Sequence, residues 1–153
     1  MIIVSACLCG INCKYDGGNN INAALLKLLK EGKVMPVCPE QLGGLETPRV
    51  AREIINGNGL DVLEGNARIV GLDKNEDVTQ KFIKGAYETL YIAEAVGANI
   101  AILKARSPSC GVSKIYDGTF SKTLRQGNGI TAQLLILNGI KVFTEGNIDK
   151  VEL

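Results

Sequence analysis

Short apolar runs alternating with helical segments over 153 residues predict a three-layer α/β fold: a mostly parallel, Rossmann-like sheet with helices on both faces. Three observations carry this expectation. Residues 1–5, 34–37 and 100–103 are brief, largely apolar stretches, too short for helices and suited to strands covered on both sides, and 141–144 reads as a last strand. Between them lie segments with apolar residues at helical spacing. Glycines follow those segments where a helix would stop. Four or five strands in one domain, 1–153, are expected.

Residues 1–5 read as a buried strand, because no basic flank marks a signal peptide. Residues 6–19 form a loop rich in Cys, Gly and Asn. A helix is expected over 22–31, with Leu25, Leu26, Leu28 and Leu29 packed and Gly32 ending it. Residues 34–37 make a second strand, interrupted by Pro36, and a long loop runs over 38–49. Residues 50–58 are expected as a short helix. Residues 60–62 and 67–70 are expected as weak strands in a hairpin around Glu64-Gly65-Asn66. The clearest helix is 77–96, where Asp77 caps with Gln80 three positions on. Phe82, Ile83, Ala86, Leu90 and Ala93 mark its apolar face, and Gly97 stops it. A central strand at 100–103 leads into a second long loop, 104–128. A helix over 130–137, closed by Asn138-Gly139, precedes the last strand at 141–144.

Composition excludes several classes. No apolar run reaches the roughly 20 residues of a membrane span. Net charge is +1 and the basic residues are scattered singly, so no extended nucleic-acid surface is expected. The five cysteines are an odd number in a chain without an export signal, which points to reduced thiols and a cytoplasmic setting. There is no histidine, so proton transfer falls to Asp, Glu, Lys, Tyr, Cys or bound water.

The cysteines carry the functional reading. Cys7, Cys9 and Cys13 follow the first strand, Cys38 ends the second, and Cys110 lies in the loop after 100–103. Open α/β sheets bind ligands at the carboxyl edge of their strands, so thiols remote in sequence are expected to meet there. Cys9, between Leu8 and Gly10, fits the core equally well. Glu40 stands two positions from Cys38, and Gly43-Gly44 would let backbone approach a bound group. Ser107 and Ser109 set hydroxyls beside Cys110. Arg49, Arg52 and Arg106 would suit an anionic substrate, but surface roles are the plainer reading.

Three chemistries fit reactive cysteines at a sheet edge. A low-molecular-weight tyrosine phosphatase needs Cys-x5-Arg, but six positions after Cys7 stands Cys13, and no Asp-Pro pair is present. A structural zinc site draws on closely spaced Cys pairs. Cys9 and Cys13 barely fit that spacing, and Cys38 and Cys110 stand alone, so zinc is the minor alternative. An iron–sulfur cluster takes thiolates from separate loops, and three of them would leave one iron open as a Lewis acid.

At three separate places the sequence resembles the bacterial thiouracil desulfidase family. The segments are Val4-Ser5-Ala6-Cys7-Leu8 with Cys13-Lys14-Tyr15-Asp16-Gly17; Pro36-Val37-Cys38-Pro39-Glu40 with Gly43-Gly44-Leu45 and Pro48-Arg49; and Lys104 with Ser107-Pro108-Ser109-Cys110-Gly111. Asp77-Val78-Thr79 and Ile115-Tyr116-Asp117-Gly118-Thr119-Phe120 also fit. The resemblance implies a 4Fe–4S cluster on three cysteines, and hydrolytic removal of sulfur from a thiolated uracil, nucleoside or nucleotide. Water replaces sulfur at the ring carbon, and sulfide leaves with no net redox change. By motif the ligands are Cys7, Cys38 and Cys110, with Cys13 the alternative to Cys7. Glu40 and one of Ser107 or Ser109 are the residues for proton transfer and substrate orientation. The alternative function is a cysteine-ligated metal or iron–sulfur protein that handles sulfur or clusters without desulfidase activity.

Overall fold

The computed structural model describes residues 1–152; Leu153, the last residue of the expected domain, lies outside the described residues. Strand β1 (Ile2–Ser5) runs at the centre of a four-stranded parallel sheet with β2 (Val34–Val37), β5 (Ile100–Leu103) and β8 (Lys141–Thr144), in the order β2-β1-β5-β8. The chain leaves β1 for β2 on one side and returns to β5 on the other, so β1 and β5 flank the switch point of the sheet. Pro36 has no amide to donate, and it is tolerated because β2 is an edge strand.

Alternate residues of these strands point to opposite faces, and each face has its own core. Val4, Val34 and Ile102 pack with Leu25 and Leu28 of helix α1 (Ala23–Lys30). Ile3, Ala101 and Leu103 pack with Phe82, Ala86 and Ala93 of α4 (Thr79–Ala95) and with Ile130 and Leu135 of α5 (Ile130–Leu137). The expected α/β sheet flanked by helices is therefore present.

Both long loops contain further elements. The first holds a short helix, α2 (Pro39–Leu42), which begins on Pro39, where a missing amide costs nothing. The second holds an antiparallel hairpin of β6 (Lys114–Tyr116) and β7 (Leu124–Gln126).

Residues 50–58 depart from the expected helix. Arg52–Ile55 is strand β3, paired antiparallel with β4 (Arg68–Gly71), and Asn56 ends it with φ at 66°. Arg52 and Glu53 are both buried, and their partners Glu76, Gly118 and Phe120 come from distant segments. Those partners make an extended chain possible where local spacing suggested a helix. The expected strand at 60–62 is instead helix α3 (Gly59–Leu63), started by a capping box. Asn58 Oδ1 accepts the Asp61 amide at 3.2 Å, and Asp61 Oδ2 accepts the Asn58 amide at 2.8 Å. No hairpin forms around Gly65. Helix α4 begins at Thr79 rather than 77; Asp77 Oδ1 accepts the Thr79 amide at 2.9 Å, and Gln80 takes no part.

Gly43 and Gly85 fix where α2 sits. A Cβ on Gly43 would stand 2.0 Å from the Lys81 carbonyl oxygen, and one on Gly85 would stand 1.8 Å from that of Pro39. The two backbones therefore touch, which seats Cys38 and Glu40 at the carboxyl edge of the sheet. Gly43 was expected to make room for a bound group, but it makes room for a helix.

Candidate functional site

A cavity of about 530 Å³ opens at the carboxyl ends of β1, β2 and β5, and Cys7, Cys13, Cys38 and Cys110 all line it. That volume suits a cofactor with a small ligand. Cys9 lies 4% exposed in the core beside α1 and does not line the cavity.

Each thiol is set by the element before it. Cys7 lies in a 3-10 turn, Ala6–Cys9, that follows β1 directly and closes on Gly10. The Asn20 amide holds the Cys7 carbonyl at 2.9 Å, folding the loop back beneath the site. Cys38 follows β2 directly and is the N-cap of α2, and its sulfur lies 3.8 Å from the Cys13 carbonyl oxygen. Ser5 joins the two strands of the switch point. Its hydroxyl accepts the Lys104 amide at 2.9 Å and lies 3.4 Å from the Cys110 sulfur, to which it donates.

The thiols differ in acidity. A hydrogen bond from Cys13 is the main cause that lowers Cys7 from its ordinary value, against the opposing effect of burial. Cys38 is lowered to about 7, again chiefly by Cys13 and then by the Gln41 amide. Cys13 is correspondingly raised, because it keeps its proton between two sulfurs that want it. Burial pushes Cys110 up to about 12, partly relieved by Ser5. These hydrogen bonds favour the thiolate form at Cys7 and Cys38 over Cys13.

Glu40, Ser107 and Ser109 also line the cavity. Arg49 donates from Nε to Glu40 Oε2 at 2.6 Å and from a terminal nitrogen to the Cys13 carbonyl at 2.9 Å. Arg49 and Arg52 are buried, contrary to the expected surface roles, whereas Arg106 is exposed. Ser107 is half-buried, and its Oγ accepts the Cys110 amide at 2.7 Å. Ser109 is 1% exposed, with its hydroxyl 3.2 Å from that of Thr131. Lys104 is paired with Glu145 at 2.5 Å.

Sequence reasoning preferred a surface role for Arg49, although its Pro48-Arg49 context offered a signal, and it missed Glu145, for which no signal existed. The donor set is suited to an iron–sulfur cluster: soft thiols from three loops around one cavity, with no histidine. No three His, Cys, Asp or Glu side chains among the described residues are gathered as a single metal ion would need.

The chain is similar to a solved structure described as a [4Fe-4S]-dependent thiouracil desulfidase, TudS, with 38% identity, a TM-score of 0.86, and coverage of 97% of this chain and 93% of that one. It is 46% identical over 151 residues to YbbK of Bacillus subtilis (strain 168), a protein described only as uncharacterized, covering 99% of each chain. The 2-thiouracil desulfurase family model matches residues 2–147, the whole span that carries the cysteine loops, and the chain therefore belongs to that family of enzymes acting on thiouracil.

Proposed function

We propose that this chain is a 4Fe–4S-dependent, non-redox desulfidase that hydrolyses the C–S bond of a thiolated uracil, or of its nucleoside or nucleotide, and releases sulfide. The observation that carries this reading is the meeting of four cysteines from three loops with Glu40 and Ser107 around one cavity. Cys7, Cys38 and Cys110 are the proposed cluster ligands, and Cys13 the alternative to Cys7. When bound, the cluster would supply a Lewis-acidic open iron with affinity for the departing sulfur.

The residues of the chain do the rest. Arg49 holds Glu40 Oε2, which leaves Oε1 free to take a proton from the attacking water and pass it to the departing sulfide. The water oxygen replaces sulfur at the ring carbon, both water protons leave with the sulfide, and no electron changes hands. One of Ser107 and Ser109, both at the cavity wall, orients the substrate. The free cysteines suit a reducing, cytoplasmic setting. No helix among the described residues is long and apolar enough to cross a membrane.

Anaerobic purification followed by iron and acid-labile sulfide assays should return about four irons per chain. The loaded protein should then release sulfide from 2- or 4-thiouracil or their nucleotides. A cluster-loaded protein that releases none from any thiolated pyrimidine would refute the proposal.

A further inference from the structure

Of the four tyrosines and three phenylalanines, Tyr15, Tyr116 and Phe120 line the cysteine cavity. Phe120 stands out among them by its backbone conformation. It is half-buried at the tip of the β6–β7 hairpin and belongs to neither core. Its φ is +57°, a conformation that strains a bulky side chain and persists only where the surroundings impose it. Gly118 and Lys122 share the left-handed region, at +91° and +61°, so the tip is a tight, contorted turn.

Glu53 imposes that conformation. It lies in β3, 8% exposed, and its Oε1 accepts the Gly118 amide at 3.0 Å and the Phe120 amide at 3.2 Å. The remaining hydrogen bonds of residues 117–123, among the described residues, close the tip on itself. The Asp117 amide reaches the Thr123 carbonyl at 3.0 Å, and the hydroxyls of Thr119, Ser121 and Thr123 join in a row. Glu53 thus supplies the hydrogen bonds that tie the tip to the body of the protein. The docking is close, since a Cβ on Gly118 would fall 2.6 Å from the Ile54 carbonyl oxygen. A carboxylate taken out of water is costly unless it is bonded, and Glu53 has its bonds only while the tip stays down.

The geometry points to Phe120 as the platform on which the substrate's pyrimidine ring stacks, and to Glu53 as the positioning residue that holds this platform over the cysteines. The inference rests on the thiolated-pyrimidine reading above. A flat π-ring is recognised by an aromatic face whatever its substituents. Two cations of the cavity are already taken: Arg49 by Glu40 and Lys104 by Glu145.

Uracil, which has no sulfur to lose, separates binding from turnover. Its affinity for the anaerobic, cluster-loaded protein can be measured by titration calorimetry, and the exchange of amides 117–123 by mass spectrometry. Phe120→Ala is expected to weaken uracil binding about five- to 150-fold, the usual worth of one stacked base. It should raise KM for thiouracil with little change in kcat, whereas Phe120→Tyr keeps both. Glu53→Ala is expected to weaken uracil binding and to speed exchange at Gly118 and Phe120 by about tenfold or more. Glu53→Gln still offers an oxygen to both amides and should restore affinity and protection. Unchanged uracil affinity in Phe120→Ala, where the wild type binds, overturns the platform. Unchanged exchange in Glu53→Ala overturns the clamp. A wild type that binds no pyrimidine defeats the substrate reading itself. Phe120 belongs to neither core, so its variants remain informative if Glu53→Ala does not fold.

Discussion

Arg49 holds Glu40 Oε2 at 2.6 Å and the Cys13 carbonyl at 2.9 Å, so one guanidinium couples the proposed proton carrier to a cysteine loop. The Arg49 side chain is 3% exposed and that of Glu40 15%, and a charge-assisted bond so shielded is strong and directional. Arg49→Lys keeps the charge but loses the fork that reaches both partners. It should lower turnover by about 10²-fold, the typical cost of a misplaced catalytic group, with iron content unchanged. Arg49→Ala leaves Glu40 unpaired and should cost about 3–5 kcal/mol of stability in denaturant unfolding.

Glu40→Gln should retain iron and lose about 10²–10⁴ in the rate of sulfide release, because the amide cannot carry the proton. Ser107→Ala should weaken turnover less. Ser109→Ala should do the same and also cost about 1 kcal/mol of stability, since its hydroxyl bonds Thr131. A Glu40→Gln enzyme with wild-type turnover would remove Glu40 from the chemistry.

Cys7→Ser, Cys38→Ser and Cys110→Ser should each strip iron from protein prepared without oxygen. Cys9→Ala should keep it, because Cys9 lies in the core beside α1 rather than at the cavity. Cys13→Ala decides the remaining ligand. Retained iron is the expected result, and lost iron together with a loaded Cys7→Ser protein would move the ligand to Cys13.

In the cluster-free protein, alkylation with iodoacetamide should begin at Cys38, its rate rising through pH about 7 to a plateau. Cys110, held up to about 12, should stay unreactive at neutral pH. The two shifts act oppositely on stability. Folding lowers Cys38 from 9.0 to about 7, so its thiolate contributes fully above 9.0 and that contribution fades as pH falls through about 7. Folding raises Cys110 from 9.0 to about 12, so its contribution is complete below 9.0 and lost as pH climbs toward 12. Peptide mapping after timed alkylation, and chemical unfolding across this pH range, would check both.

The sequence by itself determined the elements whose instructions are local. Strands β1, β2 and β5 are largely apolar runs, and α1 and α5 fall close to their expected bounds because their apolar spacing and terminal glycines act within a turn or two. It also placed Cys7, Cys38 and Cys110 in the segments that follow β1, β2 and β5, and a parallel sheet brings those segments to one edge. Tertiary structure decided what depends on remote partners. Residues 52–55 became a strand because the buried charges of Arg52 and Glu53 are met by Glu76 and by the amides of Gly118 and Phe120. Arg49 went inside because Glu40 and the Cys13 carbonyl were waiting for it. A charged side chain is buried only where its bonds are supplied, and that supply comes from segments that meet only when the chain is folded.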